Sequence, residues 1–174
     1  MISRVSSADP ASQPVKDQIA PDDGMWDGNP SHYFGVGQSA LHCIKVSMLS
    51  AGIETFTNIL DLPCVLRDLQ HAFPRAQLTA CDINMSATEF CARTFGATPV
   101  KGYESPGKIA LQGNYDLICI GSLLTHFGFF GWRWLSPILI PLTPCAARFC
   151  AALEFIEVVN YFSYSSVGNY FYDK

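Results

Sequence analysis

Charge is scarce in this chain. Only 15% of its 174 residues are Asp, Glu, Lys or Arg, and 15 acids against 11 Lys and Arg leave a formal charge of −4. That excludes the basic field with which proteins draw nucleic acid or an anionic membrane surface. Paired cysteine spacing is also missing: the 7 thiols are odd in number, none belongs to a CxxC pair, and no cleavable signal sequence precedes them. A disulfide framework and a zinc ribbon are therefore excluded as organising devices, no metal is expected, and a reducing, cytoplasmic location follows. Cys64, Cys81, Cys91 and Cys119 stand in or beside apolar runs, where a thiol serves as a small buried hydrophobe. A membrane span is missing too. The most apolar stretch, residues 127–142, is interrupted by Pro137 and Pro141 and falls short of the roughly twenty residues a spanning helix needs, which leaves only interfacial contact open.

What the chain has in quantity is apolar surface, 49% of residues, enough for one domain with its own core. Residues 1–24 scatter Ser, Pro, Asp and Gln without an apolar period and read as a mobile tail before a domain over 25–174. Asp27-Gly28-Asn29-Pro30 reads as a turn into a packed loop reaching Gly37. A helix follows between Ser39 and Ser50, with Ser39 as N-cap, Gly52 as stop, and Leu41, Ile44, Met48 and Leu49 on one face.

From there the pattern repeats. A strand over Thr57 to Leu62 leads into a helix through Val65, Leu66, Leu69 and Phe73, which Pro74 ends. A second strand, Gln77 to Asp82, leads into a helix capped by Ser86 and ending at Phe95-Gly96. Strands are further expected over Thr98 to Tyr103 and Tyr115 to Gly121, the latter unbroken in its apolar character and so buried on both faces. Alternating strands and helices imply a parallel sheet covered on both sides. Beyond His126 prolines break the pattern. Cys145 to Leu153 reads as a short helix, and Phe155 to Tyr164 with Val167 to Tyr172 as a hairpin around Ser165-Ser166.

Two acids, Asp61 and Asp82, close successive parallel strands about twenty residues apart, a spacing that suits nucleotide-like ligands bound beyond the carboxyl ends of such a sheet. Both are expected to face one crevice, with Asp82 accepting hydrogen bonds from ribose hydroxyls.

Asn58-Ile59-Leu60-Asp61-Leu62-Pro63-Cys64 resembles the first motif of the class I S-adenosylmethionine-dependent methyltransferases, and Leu78-Thr79-Ala80-Cys81-Asp82-Ile83 resembles their second. Tyr115-Asp116-Leu117-Ile118 with Gly121-Ser122-Leu123-Leu124-Thr125-His126 is similar to their fourth strand and the loop behind it. The resemblance covers residues 25–127. It implies an α/β fold, an open and mostly parallel Rossmann-like sheet with helices on both faces, here incomplete at the C-terminal end. It implies a methyltransferase that binds S-adenosylmethionine and serves an acceptor the sequence does not identify. By position, Asp61 with Leu62 and Pro63 approaches the cofactor's amino-acid end, Asp82 with Ile83 holds the ribose, Tyr103-Glu104 lines the adenine, and Gly121 borders the site. Tyr33 and Phe34 are candidates for a lid over the cofactor. His126 is the candidate base for the acceptor's proton, since an unperturbed imidazole titrates at about 6.5.

Two departures stand out. The family continues its first motif with a glycine-rich turn that lets backbone amides approach the ligand, whereas no glycine occurs here between Asp61 and Phe73. After Phe127 the sequence has too little periodic pattern for a fifth parallel strand, further helices and a closing antiparallel pair, and an altered end is expected. The missing glycines favour a second reading, a non-catalytic relative that has lost the cofactor. They count more heavily against a nicotinamide-dependent dehydrogenase, which needs Gly-x-Gly-x-x-Gly.

Overall fold

The computed structural model describes residues 14–62, 65–121 and 150–153. Helix α1 spans Pro30–Ala51. Asn29 caps it, its side chain accepting from the His32 amide at 3.3 Å, and Pro30 occupies the first turn, where its missing N–H costs nothing. At the other end Gly52 adopts φ 67°, and the next amide, that of Ile53, bonds to the Met48 carbonyl at 2.9 Å. The packed loop expected up to Gly37 and the cap expected at Ser39 are therefore wrong: the helix begins at Pro30. Gly35 and Gly37 weaken it locally, but Gly37 lies where a Cβ would sit 2.1 Å from Asp68 Oδ2, so close packing of two helices outweighs intrinsic propensity.

The sheet strands are β1 Asn58–Leu62, β2 Gln77–Asp82, β3 Thr98–Lys101, β4 Leu117–Gly121 and β5 Cys150–Leu153. Helix α2, Leu66–Ala72, joins β1 to β2, and α3, Met85–Phe95, joins β2 to β3. Strand order is β3-β2-β1-β4-β5 and every pairing is parallel, so the order reverses between β1 and β4, the topological switch point of such sheets. This is an open α/β sheet of Rossmann-like form. At residues 150–153 β5 replaces part of the short helix expected over 145–153, and it supplies a fifth parallel strand. The alanines there favour a helix locally, but β4 has a free edge and pairing with it satisfies both backbones. The hairpin expected over 155–172 lies outside the described residues.

Several boundaries are set by single polar groups. Asn84, not Ser86, caps α3, its side chain accepting from the Ser86 amide at 3.1 Å. β4 begins only at Leu117 because the Asp116 carboxylate is engaged across the sheet, accepting from Thr57 N at 2.7 Å, Thr57 Oγ1 at 2.8 Å and Asn58 N at 2.7 Å. β3 is an edge strand, which tolerates Pro99. It stops before Gly102, whose amide bonds to the Asp82 carbonyl at 2.7 Å.

Side chains alternate across each strand and divide the core in two. Ile59, Leu78, Ala80, Leu117 and Cys119 pack against α1, α2 and α3 through Ile44, Met48, Val65, Leu69 and Phe95. Leu60, Leu62, Cys81, Ile118 and Ile120 form the opposite layer with Tyr115, Val100, Ile109 and Leu111. Ile44 and Leu69 are wholly buried, each contributing about 1.5–3 kcal/mol by leaving water. Among the described residues the three α-helices share the first face, and none is long and apolar enough to cross a membrane.

Candidate functional site

Asp61 sits opposite Ala80 of β2 and Cys119 of β4. Asp82 lies two residues beyond Ala80, so both carboxylates leave the same face of the sheet, at neighbouring strand ends beside the switch point. This is the arrangement the sequence pattern implies. Asp61 is 2% exposed, whereas Asp82 is half-buried. The thiol of Cys91 on α3 feels both: burial first, then the negative charges of Asp61, Asp82 and Asp23, push its pKa up to about 11, with Arg67 opposing. Four charged groups therefore act on one point.

Asp82 is already partly committed. Its Oδ1 accepts from the Asn84 amide at 2.7 Å, which holds the turn into α3. Beside it Ile83 is 59% exposed and Tyr103, just past β3, is 42% exposed, an apolar pair at the sheet edge. Lys101 donates its ammonium to the Ile83 carbonyl, and Gly102 packs so closely that a Cβ would meet the Asp82 carbonyl carbon at 2.7 Å and the Ile83 nitrogen at 2.8 Å. Gly121 is buried at the end of β4. Leu62 alternates away from Asp61, and its side chain belongs to the opposite core layer, which leaves only its backbone beside the acid. Pro63 and His126, and the apolar stretch 127–142, lie outside the described residues.

Tyr33 belongs to α1, not to a loop, and is half-buried. Its hydroxyl donates to Asp23, and its ring meets Trp26 and Phe34 edge-on at centroid distances of 5.5 and 5.4 Å. Burial first, then Asp23, pushes its pKa up to about 12. Part of the expected tail lies against the domain: Lys16 donates to the Thr94 carbonyl, Asp22 accepts from Ser86 Oγ, and Arg67 donates to the Gln18 carbonyl at 2.6 Å.

Sequence reasoning missed Arg67. It stands in the first turn of α2, directly after β1, where a glycine-rich turn was expected and not found. The residue is 9% exposed, its guanidinium lying 5.1 Å from the Tyr33 ring centroid, 4.8 Å from Phe34 and 5.8 Å from Phe95. Its Nε has no hydrogen-bond partner among the described residues. An arginine in the first turn of the helix just past a strand end was the available signal. Among the described residues no cluster of His, Cys, Asp and Glu is arranged to hold a metal.

The donor set suits S-adenosylmethionine. Carboxylates complement a ribose diol, an ammonium and a sulfonium, the exposed Ile83 and Tyr103 suit an adenine face, and a buried guanidinium with an orphaned N–H suits a carboxylate.

No family model matches this sequence, and no curated protein matches it. Solved structures do. The chain is similar to the N-methyltransferase NodS from Bradyrhizobium japonicum WM9 in complex with S-adenosyl-L-homocysteine, at TM-score 0.52 and 15% identity over 72% of this chain and 63% of that one. A second structure of NodS aligns at TM-score 0.47 and 16% identity, over 68% of this chain and 66% of that one. A candidate O-methyltransferase from Nostoc punctiforme PCC 73102 aligns at TM-score 0.48 and 16% identity, over 67% of this chain and 35% of that one. The chain thus spans about 63% of the length of NodS. At this identity the likeness to NodS is one of fold, the class I methyltransferase fold.

Proposed function

We propose that this chain, folded as the class I methyltransferases are, is an S-adenosylmethionine-dependent methyltransferase of the cytoplasm. The observation that carries the reading is the exit of Asp61 and Asp82 from one sheet face at neighbouring strand ends. When bound, the cofactor supplies a methyl group on a sulfonium, already activated for in-line displacement. The chain's own contribution is positioning and exclusion of water.

In this reading Asp82 Oδ2 accepts from a ribose hydroxyl while Oδ1 stays on the Asn84 amide and keeps the carboxylate oriented. Asp61 complements the positive charge of the cofactor's amino-acid end. Ile83 and Tyr103 cover the adenine. Tyr33, held by Asp23 and protonated at neutral pH, closes the α1 side of the crevice without serving as a base. His126 remains the proposed acceptor of the substrate's proton.

Calorimetric titration with S-adenosylhomocysteine tests the proposal. The wild-type chain should bind, and Asp82→Asn should bind about tenfold or more weakly, because the amide nitrogen cannot accept the ribose bond. Absence of heat from the wild type at millimolar ligand removes the transferase reading and favours a relative that has lost the cofactor.

A further inference from the structure

The Arg67 guanidinium is a buried cation whose needs are incompletely met. It has five N–H donors in a planar fork. Among the described residues Nη2 donates to the Gln18 carbonyl at 2.6 Å, Nε donates to nothing, and no carboxylate forms an ion pair with the side chain. The ring centroids of Tyr33, Phe34 and Phe95 lie 4.8–5.8 Å from the guanidinium and attract its charge, and the Tyr33 hydroxyl is a further polar neighbour, but none of them completes Nε. Leaving such a donor dry is costly unless another partner completes it.

The geometry says what kind of partner. Nε and Nη2 flank one edge of the guanidinium, the edge a carboxylate takes side-on with two parallel bonds. Gln18 gives Nη2 a single carbonyl oxygen and gives Nε none. The side chain also starts from the first turn of α2, the helix that follows the β1 end carrying Asp61. An ammonium beside Asp61 and a carboxylate on Arg67 would together accommodate the two ends of an amino-acid zwitterion.

We propose that Arg67 receives the α-carboxylate of the cofactor's amino-acid end on its Nε–Nη2 edge, replacing the anchor that glycine-turn amides provide in the methyltransferase family. The inference rests on the proposed cofactor and deepens it. The Gln18 carbonyl yields its place on that edge when the carboxylate arrives, while the rings of Tyr33, Phe34 and Phe95 hold the guanidinium plane in position.

The test crosses a truncated ligand with a substituted residue in the full chain. S-adenosylhomocysteine carries the carboxylate, and 5′-methylthioadenosine keeps the nucleoside but lacks the amino acid. Arg67→Gln should weaken the first by about tenfold to a hundredfold and leave the second unchanged. Arg67→Lys, which keeps the charge but loses the fork, should fall between. Unchanged affinity of both ligands for Arg67→Gln overturns the proposal, and so does an equal loss of both, because Arg67 then only holds the fold. Failure of the wild-type chain to bind either ligand refutes the cofactor itself, a result distinguishable from failure of the arginine's role.

Discussion

Asp116 joins the start of β4 to the start of β1, and its removal tests how the sheet is held in register. Its carboxylate receives three hydrogen bonds, from Thr57 N, Thr57 Oγ1 and Asn58 N, all between 2.7 and 2.8 Å. A net value of about 1.5–3 kcal/mol applies to a bond with a charged acceptor. The site is partly open to water, and screening reduces that value by about half for each bond. Asp116→Ala should therefore cost about 2–4 kcal/mol. Asp116→Asn should cost about half as much, because one oxygen still accepts but the amide nitrogen faces donors. Against a total stability of about 5–15 kcal/mol the alanine variant is severely weakened. With a urea slope of about 2 kcal/mol per M, its midpoint by circular dichroism should fall by about 1–2 M with the slope unchanged. A shift of less than about 0.3 M, or equal shifts for the two variants, would refute the claim that these bonds hold β1 and β4 together.

Gly102→Ala places a Cβ 2.7 Å from the Asp82 carbonyl carbon, a backbone atom that cannot swing aside. It should cost about 1–3 kcal/mol in thermal or urea unfolding and also weaken S-adenosylhomocysteine, since the Asp82 turn moves with it. Asp68 is buried against α1, and its pKa is raised by burial, with Arg67 and His71 opposing. A carboxyl raised in the folded state favours folding while protonated and loses that contribution as pH climbs through its folded value. Asp68→Asn should therefore be more stable than wild type at pH 7, with the advantage shrinking as pH falls towards 4, which urea midpoints across that range will show.

The parts legible in the sequence were those governed by local pattern. Apolar runs ending in an acid identified β1 and β2, an unbroken apolar run ending in Gly121 identified β4, and the glycine after Phe95 marked the end of α3, because burial and a left-handed cap each leave a local signature. The two acids of the site were legible for the same reason. The start of α1 was not, since Gly35 and Gly37 argue against a helix until Asp68 is seen packed over Gly37. Nor was the role of Arg67, whose partners lie in α1, α3 and the segment around Gln18.

By itself the amino-acid sequence determined the alternation of strand and helix and the placing of Asp61 and Asp82 at strand ends, because side-chain period and strand polarity are properties of neighbouring residues. Only the tertiary structure decided that 150–153 is a strand, that residues 16–23 lie against the helices, and that a buried guanidinium stands in the first turn after β1 with one donor unused. Those outcomes depend on pairings between distant segments, where a free strand edge or a packed helix outweighs local preference by more than the fraction of a kcal/mol per residue that propensity supplies.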